Sequence, residues 1–286
     1  MLLNLGSINI DHVYRVPHLP EPGETLGAHS YGMGLGGKGA NQSVAAARAG
    51  ARILHIGAIG PEGHWARAAM ADFGVDVTHI AKGEEPTGHA IIYVDAGAEN
   101  VIVLYPGANR CVTGADVASA LAEAGPGDSL LMQNETSAQV EAARLAAEKG
   151  LRVIYSAAPF DLQAVQAVLP HVSLLVMNEG EAAQLRAGLG SLPQVEMIVT
   201  KGAKGAEWLS PGAEPLVTPP FKVEPVDTTG AGDCFIGTLA AALDAGLGRE
   251  EAMRRASAAA AIQVTRPGAS QAMPTAEEVT AFLSDR

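Results

Sequence analysis

The sequence predicts an α/β protein: a central, mostly parallel sheet flanked by helices, with a small β-sheet lid. Three observations carry this. Short apolar runs alternate with alanine-rich segments along most of the chain, the pattern of a parallel sheet covered on both faces. Two regions, residues 13–34 and 88–104, break the alternation with short, polar-interrupted runs. No repeat, low-complexity tract or linker divides the 286 residues, so one domain over 1–286 is expected.

The strand candidates are Leu2–Ile8, Ile53–Ala58, Ser129–Gln133, Val153–Ala157, Leu174–Met177 and Met197–Thr200. Helices are expected near Asn41–Ala49, Gly63–Phe73, Ala115–Ala124, Ser137–Lys149, Leu162–Leu169, Glu181–Ala187 and Cys234–Gly246. In such sheets ligands bind beyond the carboxyl ends of the strands. Gln133, Asn134, Glu135, Asn178 and Lys201 all fall at that edge. Ala90–Val94 and Asn100–Tyr105, joined by Asp95-Ala96-Gly97-Ala98-Glu99, read as a β-hairpin. Lid strands drawn from about 10–35 and 88–105 make an insert placed to cover a site.

Composition excludes several classes. There are 19 Lys and Arg against 31 Asp and Glu, a net charge of −12 with no basic cluster, which argues against nucleic acid or an anionic membrane as partner. Aromatic residues make up only 4%, so aliphatic side chains must build the core. Cys111 and Cys234 form no disulfide framework, and the eight histidines show no metal-binding spacing. Met1–Ile10 lacks a basic leader and reads as a first strand, not a signal peptide. No apolar run is long enough to cross a bilayer. A soluble, cytoplasmic protein is expected.

The chemistry concentrates in Asp227-Thr228-Thr229-Gly230-Ala231-Gly232-Asp233. Gly230, Ala231 and Gly232 read as a helix N-terminus, whose unpaired amides and dipole suit anionic oxygens. Asp233 then lies in the first helical turn, where a carboxylate could take the proton of an incoming hydroxyl, or the run could simply cap the helix. Near the N-terminus, Gly32-Met33-Gly34-Leu35-Gly36-Gly37 satisfies a dinucleotide fingerprint, but that motif needs an acidic residue about 20 positions on. None lies between Lys38 and Pro61. As a Walker A loop it also fails, because Gly39 stands where a Mg-binding Ser or Thr is required. What remains is a glycine-rich approach to a small polar ligand, with Lys38 and Asn41 as donors. Asn9 and Asp11, two apart on an extended strand, face one side and could grip vicinal hydroxyls of a ligand. Glu135 could do the same or cap a helix beginning at Thr136. Asn178 and Glu181 are spaced as a capping box, and Thr200-Lys201-Gly202-Ala203-Lys204-Gly205 as a hairpin turn.

Taken in order, Gly6–Asp11, Leu19–Thr25, Gly36–Gln42, Asn178–Glu181, Asp227–Asp233 and Val264–Ala269 resemble the PfkB-type carbohydrate kinases, most closely their ribokinase-like members. The resemblance runs nearly end to end. It implies a ribokinase-like fold and ATP-dependent phosphorylation of a primary hydroxyl on a small sugar, with D-ribose favoured and D-ribose 5-phosphate as product. Another sugar or a nucleoside is the alternative substrate. It implies Asp233 as general base, Gly230–Gly232 as anion hole, and a sugar held by Asn9, Asp11, Gly37, Lys38, Asn41 and Glu135. Asn178, Thr200, Lys201, Gly202, Lys204, Gly205 and Gly232 would bind ATP. Asn178 and Glu181 would arrange Mg²⁺ through its waters, and Asp227, Thr229, Arg266 and Gly268 would hold an activating K⁺. The family often has a serine a few residues past this last glycine, where Ala272 stands here; Ser270 could substitute only in a redrawn loop. Homodimerisation through the lid is implied as well. Asn178 to Thr200 spans only 22 residues, shorter than typical of the family, which predicts a trimmed nucleotide edge. Two other classes remain: a catalytically silent sugar-binding protein and, disfavoured by the missing acid, an NAD-dependent oxidoreductase.

Overall fold

In chain order the elements are β1 (Leu2–Leu5), β2 (Asn9–Arg15), β3 (Ser30–Gly36), α1 (Lys38–Arg48), β4 (Ile53–Ile59), α2 (His64–Asp72), β5 (Ile80–Lys82), β6 (Gly88–Val94) and β7 (Asn100–Tyr105). There follow α3 (Gly114–Leu121), β8 (Ser129–Gln133), α4 (Gln139–Glu148), β9 (Arg152–Ser156), α5 (Leu162–Val168), β10 (Leu174–Asn178) and α6 (Glu179–Leu189). The chain ends through β11 (Glu196–Thr200), β12 (Ala206–Leu209), β13 (Leu216–Thr218), α7 (Ala231–Asp244), α8 (Arg249–Gln263) and α9 (Ala276–Ser284). The structure is a computed structural model, and it describes residues 1–97 and 99–285. Ala98, in the expected hairpin turn, and Arg286 lie outside the described residues.

The main sheet has the order β13-β12-β11-β10-β9-β8-β1-β4-β5. It is parallel from β11 to β5 and antiparallel where β12 and β13 close its edge. Two apolar clusters occupy its faces. One gathers Val44 of α1, Leu239 of α7, Met253 of α8 and Leu283 of α9; the other gathers Val117, Ala142, Val165 and Leu185 of α3 to α6. Strand alternation sorts the residues, with Leu2 facing the first cluster and Leu3 and Leu5 the second. The same alternation aims Asn4, His55 and Gln133, all fully buried, at the α1 face.

The second sheet has the order β3-β2-β6-β7. β2 pairs antiparallel with β3 and parallel with β6, and β6 and β7 form the expected hairpin. The expected first strand, Leu2–Ile8, stops at Leu5. The chain leaves the main sheet at Gly6, where a Cβ would lie 2.5 Å from the Cα of Gly39, and Asn9 already belongs to the lid. One helix, α6, spans the short connection between β10 and β11.

Helices α1 and α7 cross in close contact. A Cβ on Gly237 would lie 2.3 Å from the Gln42 carbonyl oxygen, nearer than any side chain permits without moving the backbone. Gly237 and Asp233 are four apart and share a helix face, so the glycine also sets how near Asp233 comes to α1. Gly237→Ala should therefore destabilise the protein by about 1–3 kcal/mol, the usual cost of overpacking. Thermal melts check this, and an unchanged midpoint would show that the two helices part without cost.

Candidate active site

Asp233 enters the protein interior in the first turn of α7 and is 9% exposed. Its Oδ2 accepts from Asn41 Nδ2 at 3.0 Å and its Oδ1 from Gln42 Nε2 at 2.9 Å. Burial raises the pKa of this carboxyl above its ordinary value, and the Glu135 charge adds to the rise; Lys38 and the two amides oppose it. Each amide is itself oriented. Ser270 Oγ donates to Asn41 Oδ1 at 2.6 Å. Gln133 Nε2 donates to Gln42 Oε1 at 2.7 Å and to Asn4 Oδ1 at 2.8 Å. Asn4 Nδ2 donates in turn to Ser43 Oγ and to the Gly39 carbonyl, both at 2.8 Å. The chain ends at His55. The Gly6 carbonyl, 3.1 Å from its Nε2, can only accept, so Nε2 carries the hydrogen and Nδ1 accepts from Ser43 Oγ at 2.8 Å. Burial pushes the His55 pKa down to about 4, which keeps the ring neutral.

Gly230, in the left-handed conformation at φ 80°, caps the start of α7. The Ala231 amide turns back to the Thr228 carbonyl at 3.2 Å. The amides of Gly230, Gly232 and Asp233 find no acceptor among the described residues. They border a cleft of about 190 Å³, which Lys38, Asn178, Glu181 and Thr200 also line. Burial alone would lower the pKa of the Lys38 ammonium; the Asp233, Glu135 and Glu181 carboxylates outweigh it and hold the pKa above its ordinary value. At the far side of the cleft, Asn178 Oδ1 accepts from the Glu181 amide at 2.9 Å and Glu181 Oε2 from the Asn178 amide at 2.8 Å, a complete capping box.

A smaller cavity of about 50 Å³ adjoins under the lid, lined by Ser7, Asn9, Leu104, Asn109, Arg110 and Glu135 among others. The Lys38 amide, 3.2 Å from Glu135 Oε2, marks the boundary between the two spaces. Glu135 also accepts from the Ser7 hydroxyl. Asn9 Oδ1 accepts from Asn109 Nδ2 at 2.8 Å. A Cβ on Gly36 would lie 2.1 Å from Asp11 Oδ2, so the glycine leaves room for that carboxylate. Burial, and secondarily the Glu135 charge, push the Asp11 pKa up to about 6.

With this geometry in hand, the profile described as pfkB family carbohydrate kinase matches residues 1–276. The chain belongs to the pfkB family. Among its relatives, a ribokinase from Haemophilus influenzae is 39% identical over 98% of this chain and 97% of its own length. A deoxyribokinase from Salmonella typhi is 30% identical over 98% and 97%. Among solved structures, the Arabidopsis thaliana ribokinase complexed with ribose and ATP superposes with a TM-score of 0.87 at 28% identity, covering 99% of this chain and 98% of that one. The chain is a carbohydrate kinase, a phosphotransferase, with the ribokinase-like fold.

Within this pfkB site several expectations change. Asn41 donates one amide hydrogen to Asp233, where α1 and α7 cross. Glu135 does not cap a helix at Thr136; α4 begins at Gln139, after Ala138 in a left-handed turn at φ 59°. The approach permitted by Gly37 and Gly39 goes first to the chain itself, since a Cβ on either would fall within 2.9 Å of Ser7 or Asn9 backbone atoms. Thr200 reaches the cleft. Lys201 pairs instead with Glu207 at 2.5 Å, Lys204 with Glu179 at 3.4 Å, and Gly202 and Gly205 belong to the turn between β11 and β12. Asp227, Thr229 and Gly268 come together: Asp227 accepts from the Thr229 and Gly268 amides, and the Gln263 side chain donates to their two carbonyls.

Sequence reasoning missed Gln42, Asn4, Asn109 and Gln263, and it placed Gln133 at the ligand edge of the sheet without a role. A signal existed for the first: Asn41-Gln42-Ser43 places three polar residues in a row on an alanine-rich helix, and they cannot all face water. Asn4 and Gln133 likewise interrupt strands buried on both faces, where an unpaired polar group is costly.

The Asp11 shift has a consequence for stability. Its folded pKa lies above the ordinary 3.8, so the folded state holds the proton more tightly than the unfolded chain. The resulting penalty is absent below about pH 4, grows through the window from 3.8 to about 6, and is complete above it. Asp11→Asn should then stabilise the protein by roughly 1–3 kcal/mol at pH 7.5 and by little at pH 4. Denaturant titrations at the two pH values check this; a gain equal at both would place its cause elsewhere.

Proposed function

We propose that the protein transfers the γ-phosphoryl group of ATP to the primary hydroxyl of a pentose, D-ribose in the first instance, giving D-ribose 5-phosphate. The observation that carries this reading is Asp233. It is a buried carboxylate with raised pKa, held by two oriented amides, beside helix-terminal N–H groups that have no partner among the described residues. An amide on each oxygen leaves further lone pairs for a substrate hydroxyl. Asp233 takes the hydroxyl proton as the sugar oxygen attacks phosphorus; the new O–P bond forms, the bridging β–γ bond breaks, and ADP leaves. The free amides of Gly230 and Gly232 face the charge that develops on the transferred group, and the raised pKa of Lys38 keeps its ammonium charged nearby.

The lid cavity supplies the sugar grip. Asn9 and Glu135 line it; with Asp11, whose charge interacts with that of Glu135, they offer acceptors and a donor for vicinal hydroxyls, and the sugar in the Arabidopsis complex is ribose. The donor reading rests on the cleft and on the ATP of that same complex. A Mg²⁺ ion accompanying ATP would neutralise phosphate charge. Asn178 and Glu181 suit it through water: the capping box takes up one oxygen of each, and no cluster of three His, Cys, Asp or Glu side chains forms among the described residues.

Asp233→Asn should preserve fold and sugar binding while slowing turnover by roughly 10²–10⁴-fold, the scale of general-base loss. A coupled ADP-release assay across ribose, deoxyribose, fructose, adenosine and cytidine reads both activity and specificity. Near-normal turnover in the variant would remove Asp233 as the base, and no turnover with any acceptor would favour the silent sugar-binding reading.

The outer lid face carries the dimer contact in this proposal. Register and alternation place Tyr14, Tyr31, Met33, Tyr93, Val101 and Val103 together on it, with Tyr31, Met33, Val101 and Val103 45–59% exposed. An apolar patch of this kind is unusual on a monomer, and a second copy of the chain would cover it. Val103→Asp with Tyr31→Glu should convert dimer to monomer in sedimentation velocity; a wild-type monomer would refute the assignment.

A further inference from the structure

The family resemblance implies a K⁺ ion beside the glycine turn of α7, but the structure fills that place from within. Gln263, the last residue of α8, is fully buried. Its Nε2 donates to the Thr229 carbonyl at 2.7 Å and to the Gly268 carbonyl at 3.0 Å. The reverse orientation of the amide would press Oε1 against two carbonyl oxygens, so the nitrogen is assigned to this position by its partners. Asp227 closes the arrangement: Oδ1 accepts from the Thr229 amide and Oδ2 from the Gly268 amide, both at 2.9 Å. Thr229 and Gly268 are thus each fastened through N–H and through C=O. A cation binding both carbonyls would need the point that the nitrogen occupies. The hydroxyl that would complete a cation shell is also engaged or missing, since Ser270 donates to Asn41 and buried Ala272 has none. The expected K⁺ does not fit this chain.

We propose that the Gln263 carboxamide replaces the monovalent cation, tying the start of α7 to the loop after α8, so that turnover does not depend on K⁺. The two N–H groups satisfy the carbonyls as a cation would, without its full charge and without an ion that dilution can remove. Thr229 immediately precedes Gly230, so the amide fixes where the free N–H groups of the α7 terminus begin. Gln263 Oε1, buried with no partner among the described residues, shows that the side chain is held there by its nitrogen.

The proposal rests on the kinase reading for its rate measurement, so the test includes a readout that needs no turnover. At matched ionic strength, wild-type rates in KCl, NaCl and tetramethylammonium chloride should agree within about twofold, as screening alone requires, and melting midpoints should coincide. A larger rise in rate or midpoint specific to K⁺ overturns the proposal. Gln263→Ala frees both carbonyls, and Gln263→Glu replaces the donor with acceptors. Each should lose roughly tenfold in rate without K⁺, the scale of one to two lost hydrogen bonds, regain it with K⁺, and acquire a K⁺-specific rise in midpoint. Variants that keep wild-type rate and remain indifferent to K⁺ also overturn it. Should the variants fail to fold, the wild-type rates and midpoints decide alone; should no sugar be turned over, the midpoints decide.

Discussion

A carboxylate leaves water only at a cost that partners must offset, and the burial of Asp233 imposes its terms on everything packed around it. Asn41 and Gln42 supply one donor to each oxygen, which requires α1 and α7 to cross within hydrogen-bond reach, and Gly237 permits that crossing. The two amides must then be prevented from rotating. Ser270 holds the first; Gln133, Asn4, Ser43 and neutral His55 hold the second. Each link leaves the next with a defined donor or acceptor direction, so the chain as a whole orients one carboxylate.

The same site must attract a polyphosphate into a protein of net charge −12. Its overall field opposes that, and local geometry supplies the attraction. Unpaired amides at the start of α7 concentrate partial positive charge within one helical turn. Lys38, surrounded by Asp233, Glu135 and Glu181, remains an ammonium despite burial. Burial, with the Glu135 charge adding to it, pushes the Asp11 pKa up to about 6. Electrostatic stress is thus stored in a buried carboxylate of the lid strand, an arrangement met where function and stability compete.

Around this centre the periphery is economical. One helix joins β10 to β11, the lysines of the following turn are paired with Glu207 and Glu179, and an internal amide joins Thr229 to Gly268. The cleft is therefore bordered by backbone amides, Thr200 and the Asn178–Glu181 cap, while the lysines of the adjoining turn are engaged in ion pairs.

The residues alone determined the layered architecture, because hydrophobic periodicity and strand–helix alternation are local properties that burial on both sheet faces enforces. They determined the lid as well, since polar-interrupted strands cannot belong to a doubly covered sheet. They also marked Asp233 and its glycines, whose conformational and electrostatic demands are written in one short segment. Only the tertiary structure decided how those groups are held. Asn41 donates to Asp233, Glu135 accepts from Ser7 and the Lys38 amide in place of capping a helix, and Gln263 takes up the expected cation's carbonyls. Each of these outcomes depends on which hydrogen-bonding groups the fold brings within 3.2 Å across separations of up to 192 residues. Local sequence specifies the donors and acceptors, but their pairing is set by packing.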